Sequence, residues 1–363
     1  MKTAKTAYLV LSNGRVFEGT RFGAEGSPTG ELVFTTGMCG YIETLSDPSY
    51  FGQIVLQTFP LIGNYGFIPS DMESRGCFVT AYVTREICDQ PSNFRCAGTV
   101  DAFLKERGIP GLYGVDTREI TRIIRETGVM NARIVDDAAS ETIRGLSDFI
   151  IRDAVAAVSE RKQQVFKPEG ERRFRVALLD FGAKRNILRE LNMRGCEVLS
   201  LPYDTPAEDI LALSPDGIML SNGPGDPAEN TGVIREIAKL VGHIPMFGIC
   251  LGHQLLALAQ GGKTMKLKYG HRGANQPVKD IITGRVHITS QNHGYAVVAD
   301  SLPDGAQLRM VNANDDTCEG VDYPDARAFS VQFHPEACSG PRDTAYLFDR
   351  FIGLMGGDAY AAQ

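Results

Sequence analysis

The chain has 363 residues, 43% hydrophobic and 22% charged, with a formal net charge of -7. That length exceeds one ordinary core and predicts two domains, while the balanced composition excludes a disordered or fibrous chain. The negative charge disfavours nucleic acid as a partner, and the densest basic stretch, RKQQVFKPEGERRFR at 161–175, carries two glutamates and reads as a solvated segment.

The run Ala7 to Leu11 after Lys2 and Lys5 is too short for a secretory leader, and no apolar stretch approaches membrane-spanning length. Candidate strands follow at Ala7–Ser12, Glu31–Thr35, Ile54–Thr58 and Cys77–Val83, then helices from Val100 to Arg107 and over TREITRIIRETG. In the second helix Ile120, Ile123 and Ile124 share one face and Gly128 is placed to end it. Residues 1–154 therefore read as a smaller β-rich α+β domain. The polar stretch 155–173 reads as a linker.

From 174 to 363 short apolar runs alternate with amphipathic helices: VALLDFG, RNILRELNMRG, CEVLSLP, AEDILAL, DGIML, GVIREIAKLVG, IPMFGIC and LGHQLLALAQ. This alternation predicts βαβ units and an α/β domain around an open parallel sheet, with function at the carboxyl ends of its strands. Residues 262–298 return to β-like patterning, and the strand AFSVQF ends at His334.

Eight cysteines with no C-x-x-C pair fit neither a zinc site nor a disulfide framework, so reduced thiols, a cytoplasmic location and no metal are expected. A lone cysteine is ordinarily a small buried hydrophobe. Cys250 stands apart because Gly248-Ile249-Cys250-Leu251-Gly252 lies between an apolar strand and a helix former. Glycines on both sides permit a sharp strand-to-helix elbow that presents a nucleophile. A helix N-terminus there favours negative charge on sulfur, and the N–H of Leu251 would supply half of an oxyanion hole. Gln332-Phe333-His334-Pro335-Glu336 supplies a base and a carboxylate to orient it, both just after a strand. The loop Asn222-Gly223-Pro224-Gly225-Asp226-Pro227 formally matches a dinucleotide fingerprint through Ala228. Its two prolines and its place in the third βα unit instead suggest a rigid loop presenting a second oxyanion N–H from Gly223.

The motifs NGPGDP, GICLGHQ and QFHPE, in this order, resemble the class I (triad) glutamine amidotransferases over roughly 174–356. DFGAKRNILR at 180–189, QNHGYAV at 291–297, and ELVFTTGMCGYIETLSDPSYFGQIV, IGNYG, SNFR and DTREITR in the first half extend the likeness to the small, glutamine-hydrolysing subunit family of carbamoyl phosphate synthetase. The resemblance implies Cys250, His334 and Glu336 as catalytic residues. It implies glutamine binding by Ser49, Gly223, Gly225, Leu251, Gln254, Asn292, Gly294 and Tyr295, with the pocket closed by both domains. His253, beside the nucleophile on a helix, is expected to be structural. The implied partner is a large synthetase subunit on a separate chain that uses bicarbonate and ATP for arginine and pyrimidine synthesis. ATP and magnesium are expected there, and no cofactor in this chain. Another amidotransferase subunit, a γ-glutamyl peptidase and a silent scaffold are the alternatives. The N-terminal motifs argue against the first, the second would need no partner and should release glutamate from peptides unassisted, and the retained Cys250, His334 and Glu336 argue against the third.

Overall fold

The computed structural model describes residues 5–138 and 145–357. The chain divides after Ala154 into two compact units.

The first unit is built on β1 (Thr6–Leu11), β2 (Val16–Gly23), β3 (Thr29–Thr35), β4 (Gln53–Gln57), β5 (Leu61–Ile62), β6 (Ala81–Thr84), β7 (Glu86–Ile87), β8 (Pro110–Tyr113) and β9 (Met130–Val135), with α1 (Tyr41–Ser46), α2 (Val100–Glu106) and α3 (Thr117–Thr127). Seven strands close into a barrel in the order β1-β2-β8-β6-β4-β3-β9, while β5 and β7 form a separate pair. In α3 the Asp116 carboxylate accepts from the N–H groups of Arg118 and Glu119, Ile120, Ile123 and Ile124 are buried, and Gly128 at φ 96 ends the helix. The expected strand at Cys77–Val83 pairs regularly only from Ala81. Before it, the N–H of Phe78 bonds to the carbonyl of Leu45 in α1, which takes this part of the backbone out of the ladder.

The second unit contains α4 (Ala154–Val158), β10 (Gln164–Phe166), β11 (Phe174–Asp180), α5 (Arg185–Met193), β12 (Cys196–Pro202), α6 (Ala207–Ala212), β13 (Gly217–Leu220), α7 (Thr231–Leu240), β14 (Met246–Ile249), α8 (Leu251–Ala259), β15 (Thr264–Asp280), β16 (Val286–Val297), β17 (Gln307–Asn312), β18 (Cys318–Tyr323), β19 (Ala328–Val331) and α9 (Tyr346–Gly356). One ten-stranded sheet runs β10-β12-β11-β13-β14-β19-β18-β17-β15-β16. β12, β11, β13, β14 and β19 are mutually parallel, and the strands beyond β19 are antiparallel.

Alternation along β11 sends Ala177 and Leu179 into one core with Ile210, Val233, Ile237 and Leu255. Val176 and Leu178 enter the opposite core with Ile187, Leu191, Phe348 and Phe351. Helices thus cover both faces, which explains why β13, β14 and β19 are buried at every position. The stretch 155–173, expected as a linker, instead packs onto this unit. Val155 and Val158 are buried, and β10 pairs antiparallel with β12. β10 is held as an edge through its backbone while its side chains stay largely exposed, so it carries no apolar pattern. No helix among the described residues is long and apolar enough to cross a membrane.

Candidate active site

The fully buried strand β14 delivers Cys250 to the N-terminus of α8 with φ 54 and ψ -104. A non-glycine residue held there carries of order 1–3 kcal/mol of backbone strain, which the surroundings must offset. The two flanking glycines make the turn sterically possible. A Cβ on Gly248 would lie 2.8 Å from the carbonyl oxygen of Gly252, and one on Gly252 would collide with the carbonyl of Leu220. Hydrogen bonds pin both sides: Cys250 N–H to Val331 O at 2.9 Å, and Gly252 N–H to Ser221 O at 3.0 Å. The sulfur sits 3.8 Å from the carbonyl oxygen of Asn292 on β16.

The base arrives from β19, which lies beside β14 in the sheet. His334 is fixed through its backbone N–H to Ser290 O at 2.9 Å, and its Nδ1 lies 2.8 Å from Glu336 Oε1. Because the carboxylate can only accept, that contact assigns the proton to Nδ1 and leaves Nε2 to face the thiol. Nε2 has no hydrogen-bond partner, yet the Cys250 sulfur is near enough to act on the ring. Such slack between nucleophile and base is common before substrate tightens the geometry.

Lys184, which motif reading left without a role, completes the group. Its Nζ lies 3.1 Å from His334 Nδ1 and 3.2 Å from Glu336 Oε1. The lysine stands at the start of α5, with its N–H donating to Asn222 Oδ1 at 3.1 Å. The preceding loop is folded by Asp180 Oδ1, which accepts from Gly182 and Ala183. Asn186 Nδ2 donates to the Glu336 carbonyl. Only its place in DFGAKRN could have flagged Lys184, since its target is 150 residues away.

Burial and the Lys184 charge both oppose an imidazolium at His334. The Glu336 carboxylate and the Cys250 sulfur outweigh them and raise its pKa to about 9. Burial likewise opposes charge on Glu336, but Lys184 and His334 hold its pKa down to about 2. His253 faces away, fully buried with Nδ1 2.8 Å from Ser330 Oγ, and burial lowers its pKa to about 3.

The loop after β13 lies against the elbow. A Cβ on Gly223 would sit 2.8 Å from Leu251 Cδ2 and would overlap the Phe181 carbonyl, and Gly225 adopts φ 88. Gln254, at the fourth position of α8, is buried and donates through Nε2 to Tyr295 O and Gln332 Oε1, both at 2.8 Å. Asn292, Gly294 and Tyr295 share β16, and the Lys266 ammonium lies 5.9 Å from the Tyr295 ring centre. The second unit therefore brings Cys250, His334, Glu336, Gly223, Leu251, Gln254 and Asn292 together. Ser49 belongs to the first unit, buried in a turn where its N–H donates to Asp47 Oδ1 at 2.9 Å.

Residues 177–354 match the family described as glutamine amidotransferase class-I, and residues 9–134 match the carbamoyl-phosphate synthase small chain, CPSase domain. A carbamoyl phosphate synthase small chain of Clostridium perfringens is 50% identical over 348 residues, covering 95% of this chain and 98% of that protein. One from Bacillus anthracis is 51% identical over 350 residues, covering 96% and 95%. A carbamoyl phosphate synthase pyrimidine-specific small chain of Bacillus subtilis is 49% identical over 350 residues, with the same coverage.

Proposed function

This chain belongs to the carbamoyl-phosphate synthase small chain family and is a glutamine amidotransferase; from that premise we infer that it hydrolyses glutamine through a Cys250 thioester and passes the ammonia to a large synthetase subunit. His334 holds the proton of the thiol while the Cys250 sulfur attacks the side-chain carbonyl carbon. Backbone N–H groups of Gly223 and Leu251 hold the oxyanion. The C–N bond then breaks, and ammonia leaves with the proton from His334. Water attacks the thioester, its proton goes to His334, the C–S bond breaks and glutamate departs, which restores the starting pair.

Gln254 has its amide nitrogen engaged with Tyr295 and Gln332, so its Oε1 is the atom assigned to the substrate ammonium. Gly225, Asn292, Gly294 and Tyr295 complete the glutamine site. Ser49 rests on its sequence motif alone. Ammonia at neutral pH is mostly ammonium, so release toward a second site makes the hydrolysis productive. The large subunit would use it with bicarbonate, ATP and magnesium to form carbamoyl phosphate in the cytoplasm for arginine and pyrimidine synthesis. The observation that carries this reading is a buried thiol near enough to act on an imidazole whose Nδ1 is 2.8 Å from a fully buried carboxylate.

The test is Cys250→Ser in the complex with the large subunit. Glutamine-dependent carbamoyl phosphate synthesis should fall about 10³-fold or more, while synthesis from added ammonia persists. Equal loss of both activities would contradict the division of labour.

A further inference from the structure

A second cluster of functional groups, outside the thiol site, joins three strands of the antiparallel half. His271 on β15 and His293 on β16 are directly paired across the ladder, with ring centres 5.0 Å apart. Glu319 on β18 is fully buried and brings Oε1 to 3.6 Å from His271 Nδ1 and 4.0 Å from His293 Nε2. One ligand atom from each residue falls within 4.8 Å of the others.

The outer hydrogen bonds fix which atoms face inward. His293 Nδ1 lies 2.8 Å from the carbonyl oxygen of Tyr295, an obligate acceptor, so Nε2 carries a lone pair. That nitrogen meets Gln291 Oε1 at 3.1 Å. The Gln291 amide is itself oriented, because its Nε2 donates to Thr289 Oγ1, whose hydroxyl is used on Gln276 O. His271 Nε2 lies 2.9 Å from Asp315 Oδ2, while Nδ1 is buried without a hydrogen bond. Asn312 Nδ2 donates to Glu319 Oε1 at 3.2 Å, and Glu319 Oε2 is buried with no partner.

Lone pairs and carboxylate oxygens thus converge on a space where something positive is needed. A proton on His271 Nδ1 does not suffice, since 3.6 Å is too long for a hydrogen bond and His293 Nε2 would still face only oxygens. A metal ion answers both deficits. Ligands about 2.1 Å from a tetrahedral ion stand about 3.4 Å apart, and these atoms, now within 4.8 Å of one another, reach that separation with side-chain shifts of about an ångström. The outer contacts also have the form that metal-binding histidines use, one ring backed by a carboxylate and the other by a backbone carbonyl. Two imidazoles and one carboxylate select a borderline ion such as zinc over calcium or magnesium.

We propose that His271, His293 and Glu319 form a binding site for a divalent transition-metal ion of the zinc class, with Asp315, Tyr295 O and Asn312 orienting the ligands. The ion would tie β15, β16 and β18 together beside Asn292 and Gly294. The test uses the full chain carrying Cys250→Ser, so that the catalytic thiol cannot bind metal, titrated with cobalt(II) alone. One equivalent should bind, with tetrahedral d–d absorption and no thiolate-to-metal charge-transfer band. Glu319→Gln and His271→Asn, each in that background, should weaken binding at least tenfold with an unchanged circular dichroism spectrum. No stoichiometric binding, or equal affinity in folded variants, overturns the proposal. If the variants do not fold, crystals of the unaltered chain soaked in zinc decide it. An anomalous peak bounded by the three residues supports the site, and a map without one rejects it.

Discussion

Lys184 Nζ and Glu336 Oε1 stand 3.2 Å apart in a buried pocket, and both atoms lie within hydrogen-bond reach of the same imidazole nitrogen. The base is therefore governed by a carboxylate and an ammonium together. The carboxylate favours its charged form, and the ammonium limits how far that goes.

Replacing the lysine tests this balance. In Lys184→Gln the repulsion on His334 disappears and Glu336 loses a counter-charge, so both pKa values should rise. An imidazole that holds its proton more firmly is a poorer acid toward departing ammonia, and glutaminase activity should fall about tenfold at neutral pH. The alkaline limb of the pH–rate profile should move upward. An unchanged limb would show that Lys184 only packs.

A second experiment concerns the elbow. Gly252→Ala places a methyl group against the Leu220 carbonyl, which belongs to the buried backbone of β13 and cannot swing away. Relief requires α8 to shift, and with it the nucleophile. Glutaminase activity should drop about 100-fold through misplacement, and the variant should lose about 1–3 kcal/mol of stability from overpacking. Stability comes from denaturant titration and activity from glutamate release. Wild-type kinetics in this variant would refute the steric account.

The pH dependence has a definite sign. His334 titrates near 9 in the folded chain against an ordinary 6.5, so its protonated ring stabilises the fold. That contribution is complete below pH 6.5 and fades as pH rises toward about 9. Nuclear magnetic resonance of ring-labelled histidine should show the His334 ring still protonated at pH 7.5. A resonance already neutral there would remove the electrostatic argument.

The thiol site was legible because each part lies at a strand end with its own local signature. Gly248 and Gly252 announce a steric requirement, and His334 and Glu336 sit two residues apart. Lys184 was not legible in the same way, since its partners come from the far end of the domain. His271, His293 and Glu319 were hidden for a related reason: they share no sequence spacing and meet only when β18 approaches the β15–β16 pair. β17 and β18 went unread because QLRMVN and CEGVDY lack clean alternation, and β18 buries Glu319 and Asp322 alongside its apolar residues. Asp322 tolerates this by pairing with Arg350 at 2.9 Å. The sequence shows the β-rich character of the barrel but not its closure, because the order β1-β2-β8-β6-β4-β3-β9 is set by non-local pairing.

That closure has an implication for assembly. A ring of strands spends every ladder N–H and C=O on a neighbour, so the barrel offers no main-chain rail along which a foreign strand could be annealed. A protein that docked on the barrel wall would have to be recognised by side chains and connecting loops, where binding depends on residue identity. Exchange of partners between related complexes would then be controlled by point substitutions on those loops.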